Sequence, residues 1–263
     1  MDVQKKLEEI GVKPGKGQNF LKHEQTAKAL VEAGEIDEGE KTLEIGPGIG
    51  MITRQLAEKT DDIVAVEKNR NLAEHIERNY PVDTKVQDFL EMEKVEEFEK
   101  CVSNIPFQIS SQILEKLGEA QVQSALIVQD ELADKIVADP GDKQYGFLSV
   151  KTQYYFIPVK LRTLNSSNFH PQPEVDAAII KLYPNKNRHN IEDEEAFFEL
   201  VKALFTHKRK KLRNAFVDTR HILNFEKENA KEIRDKLPHS EQRVINLDIK
   251  QLSETAQFLE EKT

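Results

Sequence analysis

KTLEIGPGIG, residues 41–50, decides the fold. Lys41–Ile45 is a short strand-forming run, and Gly46-Pro47-Gly48-Ile49-Gly50 follows at once as a turn whose missing side chains let backbone approach a ligand. Outward from this pair the pattern repeats. Strand-like runs recur at Ile63–Glu67 (IVAVE), Thr84–Asp88 (TKVQD), Lys100–Asn104 (KCVSN) and Ala125–Gln129 (ALIVQ), separated by helix-like segments such as Arg70–Arg78 and Ser110–Leu117. Strands alternating with helices predict βαβ units and a parallel sheet. Thr152–Leu161 (TQYYFIPVKL) and Ala177–Tyr183 (AAIIKLY) read as two more strands joined by a proline-containing loop, Asn168–Asp176, so an antiparallel pair is expected at one sheet edge. Residues 18–33 carry Phe20, Leu21, Ala27, Leu30 and Val31 at roughly helical spacing.

The polar stretch Pro184–Asn190 marks a domain boundary, giving an α/β domain at 1–184 and a small all-helical domain at 185–263. In the latter, AFFELVKALF (196–205) runs into a basic cluster, and Asp248 is placed to cap a last helix at 249–261.

The chain has 263 residues, 38% hydrophobic and 32% charged, the profile of a soluble folded protein. No stretch approaches the roughly 18 apolar residues of a membrane span, and the first residues lack the apolar core of a signal peptide, so a cytoplasmic protein is expected. The single Cys101 excludes an intramolecular disulfide and a cysteine-based zinc site, and no metal is expected. Net charge is −9, unevenly spread: residues 1–184 hold 22 Lys and Arg against 32 Asp and Glu, net −10, and residues 185–263 hold 16 against 15, net +1. His207–Arg213 packs Lys208, Arg209, Lys210, Lys211 and Arg213 into seven residues, a local cluster able to contact phosphates even on an acidic protein.

In an open parallel sheet, ligands bind outside the carboxyl ends of the strands. Four consecutive runs here end in Glu44, Glu67, Asp88 and Asn104. A dinucleotide fingerprint needs glycine at i, i+2 and i+5, but position 51 is Met, which disfavours NAD and FAD. Glu67 lies 21 residues past Gly46, about where a carboxylate accepts from both ribose hydroxyls, and Asp88 can accept from an adenine amino group. A glycine turn, a ribose acid and an adenine acid on successive strands describe an adenosine ligand without a pyrophosphate, which suggests S-adenosylmethionine. The fourth end, Asn104-Ile105-Pro106-Phe107, offers two acceptors, the Asn104 side-chain oxygen and the Ile105 carbonyl, for the hydrogens of a poorly nucleophilic adenine amine. Pro106 stiffens the turn, and Phe107 presents a face on which a flipped base can stack.

GQNFL (17–21), EIGPGIG (44–50), AVEKN with Glu67, QDFL (87–90), SNIPF (103–107), FHPQPEVD (169–176) and FTHKRKKLRNAF (205–216) together resemble the ribosomal RNA adenine N6,N6-dimethyltransferase family. Within it, the chain is most similar to the branch that dimethylates two adjacent adenosines near the 3′ end of small-subunit rRNA. The resemblance spans residues 16–216 and implies a seven-stranded, Rossmann-like methyltransferase fold with a small helical C-terminal domain. It implies S-adenosylmethionine as cofactor and, as partner, small-subunit rRNA in a pre-ribosomal particle. By the same resemblance Asn19 and Leu21 would close over the methionine end of the cofactor, and Gly46 would contact it through its backbone, with Glu44, Gly48 and Gly50 in the same motif. Glu67 would hold the ribose, Asp88 the adenine, and Asn104 both cofactor and target amine. Phe107 replaces the more frequent Tyr, and Ala177 stands where Ser is common. Phe169 would wall the target-base pocket; the cluster 208–213 would touch RNA, with Lys16, Lys22 and His23 as weaker candidates. On a helix, the cluster's charges would partly encircle the axis. Three rivals remain at this point: an enzyme of the same family acting on large-subunit rRNA, a ribosome assembly factor with catalysis secondary or lost, and a DNA adenine methyltransferase.

Overall fold

The computed structural model describes residues 2–15, 17–186 and 191–261; Lys16 and positions 187–190 of the expected boundary lie outside them. In chain order the elements are α1 (Val3–Ile10), β1 (Phe20–Leu21), α2 (Glu24–Gly34), β2 (Thr42–Ile45), α3 (Met51–Leu56), β3 (Ile63–Glu67), α4 (Arg70–Asn79), β4 (Asp83–Val86), β5 (Lys100–Asn104), α5 (Ser110–Glu119), β6 (Gln123–Gln129), α6 (Asp130–Val137), α7 (Phe147–Tyr155), β7 (Phe156–Leu164), β8 (Phe169–His170), β9 (Ala177–Pro184), α8 (Glu194–Phe205), α9 (Leu212–Thr219), α10 (Lys227–Ile233) and α11 (Ile249–Glu260).

Seven strands form one sheet in the order β4-β3-β2-β5-β6-β9-β7, parallel from β4 to β6, with β9 and β7 antiparallel at the edge. The chain runs outward from β2 through β3 to β4 and then returns to β5, so the strand order reverses between β2 and β5. Only Thr42↔Lys100 and Leu43↔Cys101 pair across that seam. Beyond them the Ile45 amide donates to the Ser103 hydroxyl at 2.7 Å, so a side chain replaces the ladder bond and the strand ends part into a crevice.

The central strands are buried on both faces, which is why they read as continuous apolar runs. One core cluster joins Leu30 and Val31 of α2 and Ile52 of α3 to Val102, Ile127 and Ile179 of the sheet. Burying each such side chain contributes about 1.5–3 kcal/mol. Gly34 lets α2 lie against β5: a Cβ there would stand 2.6 Å from Val102.

Several sequence expectations shift. Residues 152–155 belong to helix α7, and the strand begins only at Phe156. Val150, Tyr154, Tyr155 and Phe156 are all at most 3% exposed, and burial on every side erases the period that separates helix from strand. The segment 18–33 is helical only from Glu24; Phe20 and Leu21 instead pair with His170 and Phe169, so the loop 168–176 contains a strand. Strand β4 ends at Val86, and Asp88 caps the 3-10 turn Phe89–Glu91 by accepting from the Leu90 amide at 3.0 Å.

By internal contacts the chain forms two units, one of Met1–Asp134 with Tyr155–Pro184 and the other of Lys135–Tyr154 with Asn185–Thr263. The sequence boundary at 184 placed 135–154 in the first domain, whereas the structure groups them with the C-terminal helices. In that second unit the Tyr145 hydroxyl donates to the Leu247 carbonyl at 3.0 Å, and Asp248 caps α11 in a capping box with Gln251. Among the described residues no helix is long and apolar enough to cross a membrane.

Candidate active site

The crevice at the β2/β5 seam opens into a cavity of about 270 Å³ at the carboxyl ends of β2, β3 and β5. Asn19, Leu21, Gly46, Gly48, Glu67, Asp88, Asn104, Ile105, Pro106 and Phe107 all line it. Residues from five separate sequence stretches thus meet at one place.

Gly46 starts the turn at φ +66°, and a Cβ built on it would meet no atom within 4 Å, so its backbone faces open space. Its amide donates to the Val66 carbonyl at 2.9 Å, which ties the turn to β3. Phe20 packs on Gly48, where a Cβ would come within 2.9 Å of its ring.

Glu67 is held by two backbone amides, Asn69 N to Oε1 at 2.8 Å and Gly48 N to Oε2 at 3.4 Å. Asn69 in turn caps α4 through its side chain, so the sequence EKN fixes the carboxylate and starts the helix together. Burial raises the Glu67 carboxyl above the usual range, against those amide bonds. Each oxygen keeps a lone pair for a hydroxyl. Asp88 accepts from Leu90 N and from Lys68 Nζ, at 2.7 Å; the lysine and then the amide hold it below the usual range.

Asn104 has its Nδ2 donating to the Asn19 carbonyl at 2.7 Å, which joins the GQNFL segment to β5. Its Oδ1 is buried and has no hydrogen-bond partner. A buried amide oxygen left open is costly unless something fills the bond. Phe107 is half-buried and meets Phe169 edge-on, ring centroids 6.5 Å apart.

Three expected residues sit elsewhere. Glu44 and Gly50 do not line the cavity: neighbouring strand residues face opposite sides, so Glu44 points away from the side that Ile45 presents, and Gly50 packs under Tyr80. Phe169 is 1% exposed in the core cluster and supports Phe107 from behind instead of walling the cavity itself. Among lining residues, sequence reasoning gave no role to Lys68, Gln87 or Gln108, and it missed Ser103 at the seam. Gln87, Ser103 and Lys68 each adjoin a strand-end residue already singled out.

Most of the basic cluster is not helical: residues 206–210 form a turn, and of its five basic residues Arg213 alone lies in α9, which starts at Leu212. Lys210 pairs with Asp218, Lys211 and Arg213 with Glu241, and Lys208 donates to the carbonyls of Lys143 and Tyr145. Arg209 is exposed, and its side chain has no partner among the described residues. Lys22 donates to the Ser167 carbonyl. No group of three or more His, Cys, Asp or Glu among the described residues is placed to hold a metal.

The family model for ribosomal RNA adenine dimethylase matches residues 12–257. The chain belongs to that family. It is 38% identical over 250 residues to the "Probable ribosomal RNA small subunit methyltransferase A" of Thermococcus sibiricus, covering 92% of this chain and 90% of the relative. It is likewise 38% identical over 221 residues to the ribosomal RNA small subunit methyltransferase A of Prosthecochloris aestuarii, covering 81% and 84%. A crystal structure of a dimethyladenosine transferase from Plasmodium falciparum superposes with a TM-score of 0.81 at 24% identity over 92% of this chain and 98% of that one, which shows the fold. The dimethylase family takes its methyl group from S-adenosylmethionine. The cavity fits that cofactor on this chain's own features: an open glycine backbone, a two-oxygen acceptor at the end of β3, and an unfilled buried acceptor on Asn104.

Proposed function

We propose that this enzyme dimethylates N6 of two adjacent adenosines near the 3′ end of small-subunit rRNA within a pre-ribosomal particle. The observation that carries the reading is the buried, unpartnered Oδ1 of Asn104, at the seam between β2 and β5 and on the wall of the cofactor cavity. S-adenosylmethionine, when bound, supplies an electrophilic methyl on a sulfonium. Glu67 accepts from the ribose, Asp88 from the adenine amine, and the Gly46 backbone with Asn19 and Leu21 encloses the methionine end.

An adenine amine is a weak nucleophile because its lone pair is delocalised into the ring. Asn104 Oδ1 and the Ile105 carbonyl draw its two hydrogens into a tetrahedral arrangement and free the lone pair for in-line attack. Phe107 stacks the flipped base, and Pro106 restricts Ile105 as well as itself. The product ammonium is acidic enough to lose its proton to water, so positioning carries the catalysis. On the RNA side, exposed Arg209 contacts phosphate; the ion pairs of Lys210, Lys211 and Arg213 lie near the surface and exchange readily for phosphate oxygens.

The test is transfer of labelled methyl to unmodified small subunits, large subunits and naked rRNAs in parallel, with digestion to identify the nucleoside. Dimethyladenosine in small-subunit material, absent with Asn104→Ala, is expected. Label confined to large-subunit RNA overturns the substrate, and no transfer despite tight subunit binding overturns the catalytic reading.

A further inference from the structure

We propose that Glu44 is a positioning residue that works as an uncharged carboxyl group, bracing the glycine turn from behind, and is no ligand of the cofactor. The side chain is 1% exposed and does not line the cavity. The Thr53 hydroxyl of α3 donates to Oε2 at 2.6 Å, whereas Oε1 is buried without a partner. This bond ties the end of β2 to the helix that the Gly46–Gly50 turn feeds, so it fixes both ends of that turn. An ionised carboxylate here would have donors from Thr53 alone, its hydroxyl and its backbone amide, with Oε1 buried without a partner and no cation beside it.

Each neighbouring element agrees. From β3 comes Glu67, a like charge; from β5 comes the Cys101 thiol, pushed up to about 12 by burial; and after α4 comes Tyr80, whose phenol burial also raises. On α3, Arg54 is committed outward to Glu24 and Glu58. No salt bridge reaches Glu44 among the described residues. Burial first, with Glu67 adding to it against the Thr53 bond, carries the Glu44 carboxyl from the ordinary 4.5 to about 8.

The sign follows from linkage. In the unfolded chain the carboxyl ionises near its ordinary value, while in the folded one it stays protonated. Its stabilising contribution is therefore full in acid and is lost as pH rises from about 4.5 through about 8. Glu44→Gln keeps the shape and the Thr53 bond and cannot ionise.

The first experiment melts the cofactor-free full chain between pH 5 and 9. The Tm of Glu44→Gln minus that of wild type is expected to be near zero at pH 5 and to rise by several degrees by pH 8. A difference flat across the range, or a variant less stable than wild type throughout, overturns the proposal. The second measures S-adenosylmethionine binding by calorimetry at pH 6.5. Glu44→Gln is expected within about threefold of wild type, against a loss of roughly tenfold or more for Glu67→Gln, whose charged hydrogen bonds face the cavity. Thr53→Val, outside the cavity, is expected to weaken binding several-fold through the turn. Loss of affinity in Glu44→Gln equal to that in Glu67→Gln overturns the proposal, and so does unchanged affinity in Thr53→Val. The inference rests on the cavity being the cofactor's; the melting series contains no cofactor and stands or falls apart from that reading.

Discussion

Lys68 Nζ lies 2.7 Å from Asp88 Oδ2, so in the cofactor-free protein an exposed ammonium already holds the carboxylate assigned to the adenine. Lys68 is 78% exposed and Asp88 23%, a weak and yielding pair. The other oxygen of Asp88 takes the Leu90 amide, so an arriving amine competes with the lysine. Lys68→Met is expected to tighten cofactor binding by roughly two- to fivefold at low salt, and the gain should vanish near 0.5 M salt, where wild type no longer pays the pairing cost. Asp88→Asn should weaken binding instead. Calorimetry across a salt series reads both, and weaker binding by Lys68→Met would show that the lysine helps hold the adenine.

Asn104 Nδ2 holds the Asn19 carbonyl, and its unpartnered Oδ1 is the acceptor in the proposed reaction, which predicts a split between its variants. Asn104→Ala loses the acceptor and should lower the methyl-transfer rate by about 10²-fold or more, the scale seen when one preorganised polar contact to a reacting centre is removed. Asn104→Asp keeps an oxygen at Oδ1 but sets a second against the Asn19 carbonyl, where Nδ2 now donates at 2.7 Å. It should therefore also loosen residues 17–21 and weaken cofactor affinity. Single-turnover rates and cofactor titrations on both variants separate the two effects.

The parallel sheet, and the meeting of most of the singled-out residues at one cavity, were legible because each strand end is local: an apolar run followed by a polar residue needs no knowledge of the remainder of the chain. The errors came from what is not local. Phe169 is read as a loop residue until β8 pairs with β1, 150 residues away in sequence, and buries it. Glu44 and Gly50 share letters with the glycine motif, yet strand alternation turns the first away and Tyr80 covers the second. The alternation was readable in principle. Helix α7 was not, since aromatic and β-branched residues buried on all sides satisfy both periods equally.

Phe107 and Phe169 meet edge-on, one at the cavity and the other in the core, and their truncations should separate cleanly. Phe107→Ala is expected to leave the melting temperature nearly unchanged while lowering kcat/KM for RNA roughly 10- to 100-fold, the worth of one base stacked on an aromatic ring. Phe169→Ala opens a cavity and should destabilise the fold by about 3–5 kcal/mol. Phe169→Ala should also lower kcat by freeing the Phe107 ring it meets edge-on, and Phe169→Leu, which refills most of that space, should restore most of the stability and only part of that kcat loss.

Arg209 and Lys211 stand two residues apart in the same cluster but differ in what binding must break. Lys211 is already on Glu241, whereas Arg209 has nothing to give up. Arg209→Ala should weaken binding to ribosomal RNA and reduce the slope of log K against log salt by about one. Lys211→Ala should change the slope less. Filter binding over a salt range measures both, and equal slopes for Arg209→Ala and wild type would place the RNA elsewhere.

Gly50 shows that a motif glycine can be required by backbone conformation and packing without lining the cavity. Its φ is +86°, and a Cβ would stand 2.3 Å from the Tyr80 ring. A left-handed backbone costs a non-glycine residue about 1–2 kcal/mol, and forcing apart a packed ring adds about 1–3 kcal/mol. Gly50→Ala is therefore expected to lower stability by about 2–5 kcal/mol, read by denaturant or thermal melting. Because the position does not line the cavity, saturating cofactor should leave the kcat of the surviving folded fraction close to wild type. Pairing the change with Tyr80→Ala should recover the steric part but not the backbone strain, so the double variant is predicted to lie between Gly50→Ala and Tyr80→Ala once the cavity left by the lost ring is subtracted through the single Tyr80→Ala control.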